Sequence, residues 1–125
     1  SGGRNMGIMD AVNRGAKTGG GLTIGVIPGH DKSSMSDAVD VGIVTGMGSA
    51  RNYINVLSSD VVIACGAGGA GTASEIALAL KSKRPVILFN DRDESVAFFR
   101  AIGGGRVHAS RSVEETVTLI RSLLA

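Results

Sequence analysis

The stretch Val61-Val62-Ile63-Ala64-Cys65-Gly66-Ala67-Gly68-Gly69-Ala70-Gly71-Thr72-Ala73-Ser74-Glu75 decides how this chain is read. Its first five residues are continuously apolar and led by β-branched side chains, as in a parallel strand covered on both faces. A glycine-rich loop follows at once, and Thr72 then opens a helix expected to run through Leu80. Glycines at such a junction let the backbone approach an anion closely. The helix N-terminus adds free N–H groups and partial positive charge, and Thr72 adds a hydroxyl. The competing reading is a tight turn that needs glycine for packing alone. The position between a strand and a helix favours the anion. The loop is not a P-loop, because no Lys-Ser or Lys-Thr follows Gly71. Nor does it match the dinucleotide GxGxxG pattern cleanly.

Outward from this junction, apolar runs and helical periodicities alternate. Upstream, Met6, Met9, Ala11, Val12 and Ala16 give a helical face that Gly19-Gly20-Gly21 ends. Leu22 to Ile27 reads as a buried strand closed by Pro28-Gly29, and His30 to Ser36 as a polar loop. Val39 to Val44 reads as a weaker strand, and a helix capped by Ser49 runs to about Ser58. Downstream, Arg84 to Phe89 is a strand ended by Asn90-Asp91, and Glu94 to Ile102 is a helix stopped by Gly103-Gly104-Gly105. Arg106 to Ala109 is a short strand, and Ser112 with Glu115 forms a capping box for a last helix. The alternation predicts an α/β fold, a Rossmann-like three-layer α/β/α sandwich around a parallel sheet with right-handed crossovers. Residues 1–125 are read as a single nucleotide-binding domain.

Composition narrows the function. The 43% hydrophobic content suffices for a core, and the 19 glycines have no collagen-like period and cluster at turns. A formal charge of +2 without a basic run gives no stripe for nucleic acid or membrane. Aromatics at 3% are too few for base-stacking platforms. The one cysteine, Cys65, excludes a disulfide framework within the chain and is expected to be a small core residue in a cytoplasmic protein. His30 and His108 stand alone, so no metal site is expected, although His30 follows a strand's end where ligands bind.

Other residues keep two readings. Gly2-Gly3-Arg4 resembles a second anion-friendly turn before a helix, with Arg4 able to pair with a phosphate, or it is a frayed terminus. Arg51 lies in the first turn of a helix, where a cation is not favoured. Either a phosphate, a substrate or Glu75 partners it, or it is a solvated surface arginine. Glu75 reads as a carboxylate complementing the helix dipole, or as a ligand contact.

Gly68-Gly69-Ala70-Gly71-Thr72-Ala73-Ser74-Glu75 also resembles the Pro-Gly-Gly-x-Gly-Thr-x-x-Glu signature of the LONELY GUY and lysine-decarboxylase-like group of Rossmann-type proteins. The enzymes of that group are cytokinin-activating nucleoside 5′-monophosphate phosphoribohydrolases. Within it, the chain is most similar to the molybdenum cofactor carrier proteins. Gly15-Ala16-Lys17, Leu22 to Gly29, Ser36 to Asp40, Val44 to Asn52 and Leu57 through Pro85 carry that likeness. It covers the chain up to about Leu88 and is looser beyond.

The resemblance implies a carrier of molybdenum cofactor (molybdopterin), a pterin bearing a phosphate. Gly68, Gly69, Gly71 and Thr72 would hold that phosphate, Gly2, Gly3 and Arg4 would contribute, and Arg51 and Glu75 would line the pocket. No protein metal ligand is needed, since the dithiolene of the pterin holds the molybdenum. The alternative is a phosphoribohydrolase acting on a nucleoside monophosphate, with Arg51 and Glu75 catalytic. Against it, the hydrolases carry Met-His-x-Arg-Lys where this chain has Met47-Gly48-Ser49-Ala50-Arg51-Asn52. Ala67 also replaces the signature's proline, and Ser74 an acidic residue common before its last glutamate. A further alternative is a nucleotide-sensing module whose ligand controls oligomer state. Family members are commonly homodimers or higher oligomers, and the Ile76, Leu80 helix face fits either that or a core. They also carry a strand, a helix and a strand before the first glycine turn, so the chain reads as short at its start relative to the family.

Overall fold

The computed structural model describes residues 1–125. These divide into two compact units, Ser1–Asn55 and Val56–Ala125. Each is built of parallel strands and helices, the construction of the Rossmann-like α/β class predicted from the alternation.

The first unit holds α1 (Gly7–Thr18), β1 (Ile24–Ile27) and β2 (Val41–Val44), and the start of α2 (Arg51–Leu57). β1 and β2 pair in parallel from Ile24↔Val41 to Ile27↔Val44. The return from β1 to β2 carries no helix, in keeping with the reading of His30 to Ser36 as a polar loop. Residues 28–40 make the parallel return as a chain of turns, because Pro28-Gly29 and the polar run after it offer no apolar helical stripe. β2 also starts later than Val39. The backbone at 38–40 is held largely by one residue before β1: Thr23 Oγ1 donates to the Ala38 carbonyl at 2.5 Å and accepts from Asp40 N at 2.9 Å, and the Thr23 carbonyl accepts from Asp40 N at 3.1 Å.

Polar contacts dock α1, whose one buried residue is Asn13. Asp10 accepts from Ser36 Oγ at 2.5 Å and pairs with Arg14 at 2.7 Å. Asp40 pairs with Lys17 at 2.5 Å and accepts from the Thr23 backbone N–H at 2.9 Å. The Lys17 ammonium and the two Thr23 donors pull the Asp40 carboxyl down to about 2.

The second unit alternates β3 (Val62–Cys65), α3 (Ala70–Lys81), β4 (Val86–Phe89), α4 (Asp93–Gly103), β5 (Val107–Ser110) and α5 (Val113–Leu124). Its sheet has the order β3-β4-β5, all parallel. The central strand is the most apolar in sequence: Val86, Ile87 and Leu88 are fully buried. Burying such a side chain is worth about 1.5–3 kcal/mol, so β4 is the axis of the core. Val56, Ala64, Ile76, Ala79, Val96, Phe99 and Val107 close around it.

Ile76 is fully buried in this core. Leu80 packs on Gly103, where an added Cβ would lie 2.7 Å from its Cδ2. The Ile76, Leu80 face therefore belongs to the core of this unit. The capping box forms as read: Ser112 Oγ accepts from Glu115 N at 3.1 Å, and Glu115 Oε2 accepts from Arg111 N at 2.8 Å.

Candidate functional site

The predicted residues fall into two groups, one in each unit. In the second unit, β3 ends at Cys65, and Gly66 turns the chain out of the sheet at φ +73°. That left-handed conformation favours glycine. The helix begins at Ala70, two residues before the predicted Thr72, with Gly69 as its N-cap. Glycine has no side chain to cap with, and the first backbone bond is Ala73 N to the Gly69 carbonyl at 3.1 Å. The N-cap thus gives the N–H groups of the first turn no side-chain bond, and no acidic residue lies in that turn. Gly68, Gly69 and Gly71 are exposed, and a Cβ at each would meet nothing within 4 Å. Packing of the chain therefore does not require glycine at these three positions. What their missing side chains leave is open space beside exposed backbone.

Thr72 and Glu75 are half-buried on α3. Because the helix starts at Ala70, Glu75 lies in its second turn, beyond the reach of the N-terminal dipole. Dipole complementarity, which the later start suggested, does not account for it.

Asp91 is a member of this group that the sequence reading left as a strand terminator. It is 4% exposed, at the end of β4. Its Oδ2 accepts from Ala67 N at 3.1 Å and its Oδ1 from Arg92 N at 2.8 Å. The available signal was an Asp two residues after the apolar run that ends at Phe89. Arg111 donates to the Asp91 carbonyl and pairs with Asp93 at 2.5 Å.

In the first unit, Gly2 and Gly3 are buried and Arg4 half-buried. The turn does not open a helix, as the sequence suggested: α1 starts at Gly7 with Met6 as N-cap. Its backbone groups are taken instead by the segment around Met35. Arg4 bridges Met35 in antiparallel fashion, Ser36 N donates to the Gly3 carbonyl at 2.8 Å, and Asn5 N donates to the Ser34 carbonyl at 2.8 Å. Gly3 has φ +69°, and a Cβ there would meet Gly25 Cα at 2.8 Å. The need for glycine at Gly3 is thus a matter of backbone packing.

Arg51 opens α2 and is 7% exposed, so it is not a solvated surface arginine. Its guanidinium lies where a Gly2 side chain would be. With the Asn55 amide oriented to suit both neighbours, Asn55 accepts from Arg51 Nη1 at 3.0 Å and donates to the Ser1 carbonyl at 3.1 Å. The structure thus brings Gly2 and Arg51 together. His30 is exposed and lies against Gly46.

Cys65 is half-buried at the end of β3, and burial pushes its thiol pKa up, which disfavours a thiolate. It lines an apolar hollow of about 180 Å³ with Ile63, Phe89, Val113, Thr116 and Val117. That hollow suits no phosphate. No group of three or more His, Cys, Asp or Glu side chains is placed to hold a metal ion. No helix is long and apolar enough to cross a membrane.

Comparison with known proteins adds to this geometry. The model of the SLOG cluster4 family matches residues 1–117. An uncharacterised protein of Archaeoglobus fulgidus is 49% identical over 80 residues, 64% of this chain and 52% of the relative. The chain thus matches about half the length of that curated relative. Among solved structures, the molybdenum cofactor binding protein from the phototrophic bacterium Rippkaea orientalis is 52% identical with a TM-score of 0.95. It covers 99% of this chain, which in turn covers 76% of it. The molybdenum cofactor carrier protein from Chlamydomonas reinhardtii is 50% identical with a TM-score of 0.91, covering 98% of this chain and 75% of that one.

Proposed function

The chain belongs to the SLOG cluster4 family, and from that premise we propose that it binds molybdenum cofactor through the cofactor's phosphate and serves as its carrier. The observation that carries this reading is the loop of the second unit. Gly68, Gly69 and Gly71 have open space where side chains would stand, and α3 begins with no side-chain cap. N–H groups at a helix N-terminus, with no Cβ in the way, suit a dianionic phosphate. Two solved relatives near 50% identity are described as binding or carrying that cofactor.

In this reading Gly68, Gly69, Gly71 and Thr72 hold the phosphate. The dithiolene of the pterin supplies the molybdenum ligation, so the protein need offer none. Arg4 and Arg51 are the cationic candidates of the first unit, while Gly2 and Gly3 give that unit's turn its shape. We place the protein in the cytoplasm on its single cysteine, and as a homo-oligomer because the family resemblance implies one. Sizing across concentration, with and without ligand, checks the oligomer and tests whether ligand controls it.

Titration of the purified protein with molybdenum cofactor tests the reading. Saturable binding that Gly69→Ala weakens is expected. A hydrolase is the second reading, with Glu75, half-buried in the second turn of α3, as its carboxylate. Release of free base from adenosine monophosphate, lost in Glu75→Ala, together with no cofactor binding, would replace the carrier by the phosphoribohydrolase.

A further inference from the structure

We infer that Asp91 is the positioning residue of the glycine loop, its carboxylate fixing the peptide at which the loop leaves the sheet. The inference rests on the reading of that loop as the phosphate site. β3 and β4 pair as far as Cys65↔Phe89. Beyond that rung β4 still bonds β5, Asn90 N donating to the Ser110 carbonyl at 2.8 Å. On the other side the ladder is replaced by a side chain: the Ala67 N–H goes to Asp91 Oδ2 at 3.1 Å.

Asp91 does not cap the first turn of the helix nearest to it in sequence, its Oδ1 reaching only the N–H of Arg92. α4 has Arg92 as its N-cap and no side-chain cap. Nor is the carboxylate placed for solvation, being 4% exposed. A carboxylate is costly to bury unless hydrogen bonded, and here each oxygen accepts one backbone N–H. Hydrogen bonds to a carboxylate are stronger than those between neutral groups.

Gly66 at φ +73° gives the chain freedom to turn, and the bond one residue later removes that freedom. Every residue from Gly68 to Gly71 that offers an N–H lies downstream of this clamp. A fixed exit direction pre-organises those groups and lowers the ordering cost of binding. The negative charge of Asp91 opposes an anion, so affinity in a neutral variant separates the clamp from the charge.

The test compares the full chain with Asp91→Ala and Asp91→Asn by amide hydrogen exchange over residues 67–71 and by titration with molybdenum cofactor. Asp91→Ala is expected to speed exchange across the loop and to weaken binding about ten- to a hundredfold, the loss of one charge-assisted bond. Asp91→Asn keeps one acceptor without the charge and should recover most of both. Affinity in Asp91→Ala equal to or tighter than wild type overturns the proposal. If Asp91→Ala does not fold, Asp91→Asn decides: the Ala67 amide protected as in wild type supports the clamp, and loss of its protection overturns it. If the wild-type protein does not bind the cofactor, the reading of the site has failed, and exchange alone decides the clamp. Faster loop exchange in Asp91→Ala then supports it, and unchanged exchange overturns it.

Discussion

Two glycine turns look alike in sequence and differ in what glycine does for them. At Gly2-Gly3 the missing side chains are filled by the protein itself, by the Arg51 guanidinium and by the Gly25 backbone. At Gly68-Gly69-Ala70-Gly71 nothing of the protein fills the space. The first turn is closed and the second open. Glycine in a closed turn serves the fold. Glycine in an open turn leaves space and N–H groups that packing of the chain does not use, and the proposed phosphate site rests on that space.

Substitutions can break this comparison, and the largest effect belongs to the closed turn. Gly3→Ala combines left-handed strain with a backbone clash, each costing about 1–3 kcal/mol. Denaturant unfolding should show the loss, and a stability unchanged from wild type would mean the turn is not closed. In the open turn, Gly69→Ala places its side chain at φ −134°, ψ 154°, which any residue adopts. Its stability should stay within about 0.5 kcal/mol, while cofactor affinity falls about tenfold or more if the lost contact is to a charged phosphate. Equal affinity would show that the open space is not used.

The helix starts sharpen the contrast further. α5 is capped by Ser112, so Ser112→Ala should lose about 1 kcal/mol, read from thermal or denaturant unfolding. Gly69→Ser gives α3 the cap it lacks. It should gain only a few tenths of a kcal/mol and still bind cofactor less well, because the new hydroxyl competes for the same N–H groups.

The smallest effect concerns acid. The Asp40 carboxyl lies at about 2 in the folded chain, below its ordinary 3.8. The stability it contributes is therefore complete above about 3.8 and lost as pH falls from there toward 2. Asp40→Asn should lower stability at neutral pH and flatten the dependence in that window, which unfolding curves at several pH values would reveal.

Periodicity made most of the fold legible. The continuous apolar runs of β3 and β4 announced buried parallel strands, and Ser112 with Glu115 announced a helix start, because these signals are local. The crossover at 28–40 was legible as a polar loop, but its bonding was not, since Thr23 and Ser36 bond residues distant in sequence. Of the candidate site, the loop stood out by its glycines and its place after a strand. The closure of Gly3 by Gly25 did not, because two glycines 22 residues apart carry no visible sign of contact. The burial of Arg51 was hidden for the same reason: it depends on Gly2 having no side chain. Asp91 was visible only as a strand's end, because its partner is a backbone N–H, which every residue has.

The strands β3 and β4 turn aside on the same rung, at Gly66 with φ +73° and Asn90 with φ +50°, directly after the pair Cys65↔Phe89. A slip of one residue between two strands exchanges the two faces of the strand that moves. Here a slip would set a turning residue of one strand beside a straight residue of the other and leave an N–H without its partner. The matched pair is thus a boundary that only one alignment of the two strands satisfies.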